Sequence, residues 1–139
     1  MFKYLRTLNT EFHPTVVDFY VSPKDDNYPD HVDAGMIVSI SDGKITNCFI
    51  ASKPMYLALT GKQDNEEKPV KCIRLFPGMV LEADISAEAN KNSITIGATV
   101  GIAENVDFKG IDISADATAK FEVIDDYNKA NGKATVVVL

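Results

Sequence analysis

A mainly β protein is predicted, built as a single compact β-barrel or β-sandwich of short antiparallel strands with an N-terminal arm. Three observations predict it. Apolar and polar residues alternate with period two in many short runs. No long stretch holds the 3.6-residue apolar stripe of an amphipathic helix. Turn residues (Gly, Pro, Asp, Asn) separate the runs at close intervals, the pattern of a sandwich or small barrel. Hydrophobic residues make up 45% of the 139 and charged residues 24%, enough apolar material to bury a core without disulfide staples.

Residues 1–14 read as an arm or docking segment and residues 15–139 as the β domain. In the first segment Phe2, Tyr4, Leu5, Leu8 and Phe12 supply large apolar groups ahead of any regular strand. In a helix Leu5, Leu8 and Phe12 would share a face, and Pro14 would end it. The alternatives are a segment folded along the edge of the domain's own core and an arm that docks on a neighbour. Phe2, Tyr4, Leu5 and Phe12 are the candidate partner-binding anchors if it docks.

Thr15-Val16-Val17-Asp18-Phe19-Tyr20-Val21 reads as a strand ended by Ser22-Pro23, and residues 25–30 as a loop. Two strands, 36–41 and 44–50, flank Asp42-Gly43, a turn pair suited to a type I′ hairpin. Further strands are expected over 55–60, 70–75, 79–85, 94–96, 98–103, 119–124 and 133–139, and single helical turns over 86–90 and 116–120. The final Val136-Val137-Val138-Leu139 would be an aggregation hazard if free, so it is expected to be paired. A repeated opening (Gly35-Met36, Pro77-Gly78-Met79 and Gly97-Ala98, each ahead of a strand) fits either recurrent turn chemistry or a duplicated barrel half.

The composition excludes several functions. With 14 Lys+Arg against 20 Asp+Glu the net charge is −6, and no basic cluster exists to hold nucleic acid. The apolar runs are far shorter than the ~20 residues that span a bilayer, and no signal peptide opens the sequence, so neither membrane nor export is expected. Cys48 and Cys72 form no metal-binding pair and read as reduced, packed thiols, while His13 and His31 lack partners at ligand spacing. The acidic run Asp25, Asp26, Asp30, Asp33 lacks calcium-loop spacing and reads as a solvated loop, as does the tip 64–67. Nucleophile elbows and phosphate cradles are absent. Gly110-Ile111-Asp112 matches three residues of the uridine motif of dUTP pyrophosphatases, but every other motif of those enzymes is missing. The expectation is therefore a protein that is not an enzyme, with no catalytic residues, cofactor or metal site.

One ordered pattern goes further. Gly35 to Lys44, the strand Tyr56-Leu57-Ala58-Leu59-Thr60, and Arg74-Leu75-Phe76-Pro77-Gly78-Met79-Val80-Leu81-Glu82 come first. Ile96 to Ile102, Ala119 to Ile124 and Gly132 to Val138 follow. This succession resembles the small capsid decoration (cement) proteins of tailed bacteriophages, over residues 34–139. The resemblance implies a structural virion protein, made in the host cytoplasm, that binds the capsid's outer surface and bridges major capsid protein subunits. It also implies that a homotrimer is one expected assembly, and it brings no catalytic residues. The alternative is another β-rich binding or structural module, tail- or fibre-associated or ligand-binding.

Overall fold

Period-two patterning becomes antiparallel sheet. The computed structural model describes residues 1–8, 13–25, 30–104 and 109–139. In chain order the strands are β1 (Phe2–Thr7), β2 (Val16–Phe19), β3 (Ile37–Val38), β4 (Ile40–Ser41), β5 (Lys44–Ile45), β6 (Tyr56–Ala58), β7 (Val70–Arg74), β8 (Met79–Asp84), β9 (Thr99–Ile102), β10 (Ile113–Ser114), β11 (Phe121–Asp125) and β12 (Lys133–Val138). The protein is mainly β, as expected, and among the described residues helix is confined to single 3-10 turns at Lys91–Ser93 and Lys129–Asn131.

The chain sorts into two compact units, the first comprising Met1–His13, Phe76–Glu104 and Ile111–Leu139, the second Pro14–Leu75 with Asn105–Gly110. The first thirteen residues thus belong with two later segments of chain, and the change of unit lies between His13 and Pro14.

Unit one holds a six-stranded sheet in the order β1-β8-β12-β11-β9-β10, every pairing antiparallel. Its centre is the β-branched C-terminal run: β12 pairs with β8 on one side and β11 on the other. The expected pairing of the apolar tail is therefore what forms, and it is a central strand. Alternation along β11 sends Phe121 and Val123 inward, where they join the buried Met79, Leu81, Ile94, Val100, Ile113 and Val136. Unit two holds a four-stranded sheet, β2-β7-β6-β3, and the small β4-β5 hairpin. Its buried residues include Val32, Ile37, Ile45, Leu57, Val70 and Ile73.

The Asp42-Gly43 turn forms with both residues at positive φ (52° and 76°), pairing Ile40 with Ile45 and Ser41 with Lys44. The flanking strands are shorter than the patterning suggests. Buried Ser39 interrupts them: its Oγ donates to the Ile50 carbonyl at 3.2 Å and accepts from the Ile50 amide at 2.9 Å. That side chain substitutes for ladder bonds, which is how Ser competes with sheet. Gly35, Gly78 and Gly97 have φ of 96°, 92° and 88°, so the repeated opening is a shared turn conformation ahead of a strand.

Two expectations differ. Residues 94–96 are no strand: the 3-10 turn Lys91–Ser93, capped when the Asn90 side chain accepts from the Asn92 amide, leads into a turn closed by Ala98 N–H to Thr95 O at 2.9 Å. Residues 86–90 and 116–120 form turns and irregular chain without helix. Of the alternatives for the first segment, the one folded along the edge of its own domain is what forms over Phe2–Thr7, as the edge strand β1. A bulge between Tyr4 and Arg6 leaves Leu5 without a partner, so period two breaks there and Leu5-Leu8 mimics helical spacing. Among the described residues no helix is long and apolar enough to cross a membrane.

Candidate functional site

The N-terminal anchors are split by the sheet. Phe2 is buried at 4% exposure with its ring centroid 5.8 Å from that of Phe121, so it serves the core of unit one and presents no surface to a partner. Tyr4 is half-buried, its hydroxyl 2.6 Å from Thr7 Oγ1. Leu5 is exposed on the bulge, and Phe12 lies outside the described residues.

The sheet edges differ in how well they are guarded. An open edge is a row of unpaired N–H and C=O groups that invites another strand, and proteins blunt it with bulges, charge, shortness or cover. In unit one, β1 is broken by its bulge and carries Lys3 and Arg6, and β10 is only two residues long. In unit two, β3 is two residues long and covered where the Ile37 amide donates to Gly110 O at 2.7 Å. Gly110 is required there, because a Cβ would stand 2.1 Å from the Ile37 carbonyl oxygen. That contact accounts for the glycine of the Gly-Ile-Asp triplet.

Strand β2 is less guarded: it has no bulge, and cover begins only past its end, where the Ile45 amide donates to Tyr20 O at 2.9 Å and the Ser22 amide donates to Ile45 O at 2.8 Å. Its four residues pair with β7 in unbroken register, Val16↔Ile73 to Phe19↔Val70, and among the described residues no strand pairs with its outer side. Val16 and Val17 are 51% and 40% exposed, and Asp18, held 3.2 Å from Lys71 Nζ, is its one charge. Phe19 packs edge-on against Tyr56 at 5.3 Å, which braces the strand from the sheet face.

Beyond β2 the same unit carries a polar cleft of about 550 Å³. Its lining combines Tyr20, Val21 and Pro23 with Lys24, Asp30, Lys44, Lys62 and residues 65–68. Lys62 and Asp30 sit at its floor, both buried. Lys62 Nζ donates to the Asp30 carbonyl at 3.0 Å and lies 3.2 Å from Asp30 Oδ2, while Asp30 Oδ1 accepts from the Asn65 amide at 3.3 Å. Burial pushes the Asp30 carboxyl up, but hydrogen bonds with Asp64 and Lys62 and the Lys62 charge hold it below the usual range. Asp64 in turn lies 3.7 Å from His31 Nδ1 and 3.8 Å from Lys24 Nζ. Glu66 accepts from the Gln63 amide at 2.9 Å, which holds its carboxyl low despite some burial, and stands 3.4 Å from Lys68.

The acidic loop was expected to be solvated throughout. Asp30 instead turns inward, because a lysine buried between Gly61 and Gln63 needs a countercharge. Asp26 lies outside the described residues. Nothing in the sequence separated Lys62 from an ordinary loop lysine. Both cysteines are free; Cys72 is buried, and desolvation with the nearby Asp18 pushes its thiol up to about 12. Asp112 is part-buried and its carboxyl is raised by that burial. Among the described residues no group of three or more His, Cys, Asp and Glu is placed to hold a metal ion.

No protein family, curated protein or solved structure matches this chain. Among the described residues the fold and these surfaces present an all-β protein with a lightly guarded strand edge at β2 and a cleft lined by charged side chains.

Proposed function

We propose that this chain is a non-enzymatic structural protein of a tailed-phage particle that binds the outer surface of the capsid and stabilises the expanded shell by bridging major capsid subunits. The observation that carries the reading is the ordered succession of glycine-turned strands over residues 34–139, which resembles the decoration proteins. The lightly guarded edge of β2 supports it, because an exposed strand edge recognises an extended backbone and its Val16 and Val17 supply apolar contact. A strand of the shell subunit is the occupant that suits it. A second copy suits it less, since each copy carries a net charge of −6 and two like-charged molecules repel. Binding only the expanded lattice would stabilise that lattice by mass action.

Co-sedimentation of the protein with expanded, undecorated heads and with unexpanded procapsids tests this. Saturable binding to expanded heads alone, weakened about tenfold or more by the double change Val16→Lys and Val17→Lys, is the expected result. Absence of binding to heads of the source phage rejects the role. Equal binding by the double variant rejects β2 as the interface and leaves the role standing. A second reading, a β-rich ligand-binding module, is favoured by the cleft.

A further inference from the structure

We infer that the cleft of the second unit is a binding site for a neutral carbohydrate. Its volume of about 550 Å³ falls within the usual range of small-ligand sites. What selects the ligand class is the pairing of charges. Lys62 faces Asp30 at 3.2 Å, Lys68 faces Glu66 at 3.4 Å and Lys24 faces Asp64 at 3.8 Å. Asp64 stands just outside the lining, whose other charged residues, Lys44 and Glu67, have opposite signs. Among the described residues, four lysines thus meet four carboxylates once Asp64 is counted, which leaves the cleft little net charge to concentrate an ion of either sign. An anionic ligand would have to displace carboxylates from their lysines. A divalent cation would need the clustered oxygens that the described residues do not assemble.

A neutral polyhydroxylated ligand meets none of these penalties. Its hydroxyls each donate and accept, and here lysine donors and carboxylate and amide acceptors line one space. Bonds from neutral hydroxyls to such groups are charge-assisted, hence stronger than those to neutral partners. The apolar C–H face of a sugar ring needs a flat surface, and the cleft offers the Tyr20 ring, 57% exposed, beside Val21 and Pro23. The polar side is held in place before any ligand arrives. The Lys62–Asp30 pair is buried, Asn65 is locked at a φ of 65° while its amide bonds Asp30, and Glu66 is tied to the Gln63 amide. Pre-ordered groups lose little freedom on binding. The inference stands apart from the capsid role, since neither requires the other.

The test is titration of the whole ¹⁵N-labelled chain with maltotriose, cellotriose, mannotriose, galactotriose and the N-acetylglucosamine trimer, each to about 20 mM, with inorganic phosphate and a sulfated disaccharide as anionic arms. At least one neutral sugar should give saturable amide shifts confined to residues 20–24, 44 and 62–68. Tyr20→Ala should weaken that binding about tenfold, and Lys44→Ala by less, with both variants keeping the wild-type spectrum elsewhere. The inference is overturned if no neutral sugar gives saturable shifts there, if Tyr20→Ala leaves affinity unchanged, or if only the anionic probes bind.

Discussion

Burying a lysine leaves a protein few choices, and Lys62 shows which was taken. Its ammonium lies at 4% exposure between a backbone carbonyl and a carboxylate of the same residue, Asp30. Removing one partner of such a pair strands the other without water. Lys62→Met should therefore lower the melting temperature by several degrees, whereas Lys71→Met, which breaks the exposed pair with Asp18, should barely move it. Thermal unfolding followed by circular dichroism measures both, and a double change Lys62→Met with Asp30→Asn should recover part of the loss. Equal effects at positions 62 and 71 would show that the buried pair has no special weight. At this scale the sequence was partly legible. Cys72 is the packed thiol its apolar neighbours suggested, and Asp42-Gly43 makes the turn its chemistry requires. Asp30 was not legible, because its partner stands 32 residues away with no local sign of burial.

Strands report their own residues well and their neighbours poorly. Alternation located β2, β7, β8, β9, β11 and β12, since period two is a local property of a pleated chain. It missed β1, where the bulge at Leu5 shifts the register, and β10, where two residues are too few to show a period. The resulting ranking of strands can be tested by truncation. Leu81 on β8, fully buried between β1 and β12, should lose about 2–5 kcal/mol on change to Ala. Leu5 on the bulge of β1 is 43% exposed, and its change to Ala should fall within about 0.5 kcal/mol of wild type. Urea denaturation of both variants decides it; similar losses would mean that β1 contributes to the core through Leu5 as well as Phe2. The lightly guarded state of β2 was invisible for the same reason that β1 was missed. Whether an edge is open depends on the sheet order, which no single strand encodes.

Across the whole molecule, acid should act on unit one through Asp84. Burial pushes this carboxyl up, but hydrogen bonds from Lys133 Nζ at 2.7 Å and from the Met1 amine at 2.6 Å, with their charges, hold it below the usual aspartate range. A depressed carboxyl contributes stability that is present above its unfolded-state pKa of about 3.9 and is lost as pH falls through the folded value. Asp84→Asn should then lower the melting temperature near neutral pH and flatten its fall between about pH 4 and pH 2. An unchanged acid limb would remove Asp84 from the account. The mainly β class was legible from composition and period, while the two-unit arrangement was not, because its segments interleave along the chain.

That interleaving sets an order on synthesis. Every segment of the second unit has been translated by residue 110, so its sheet can close while the ribosome is still extending the chain. The first unit begins earlier in the sequence yet must wait, since β8 and β11 have no shared neighbour until β12, residues 133–138, has emerged. During that interval the apolar strands β8, β9 and β11 exist without their central partner. Strand β12, made after every other strand of this sheet, is the one that completes it, and the nascent sheet is most exposed to misassociation before that strand appears.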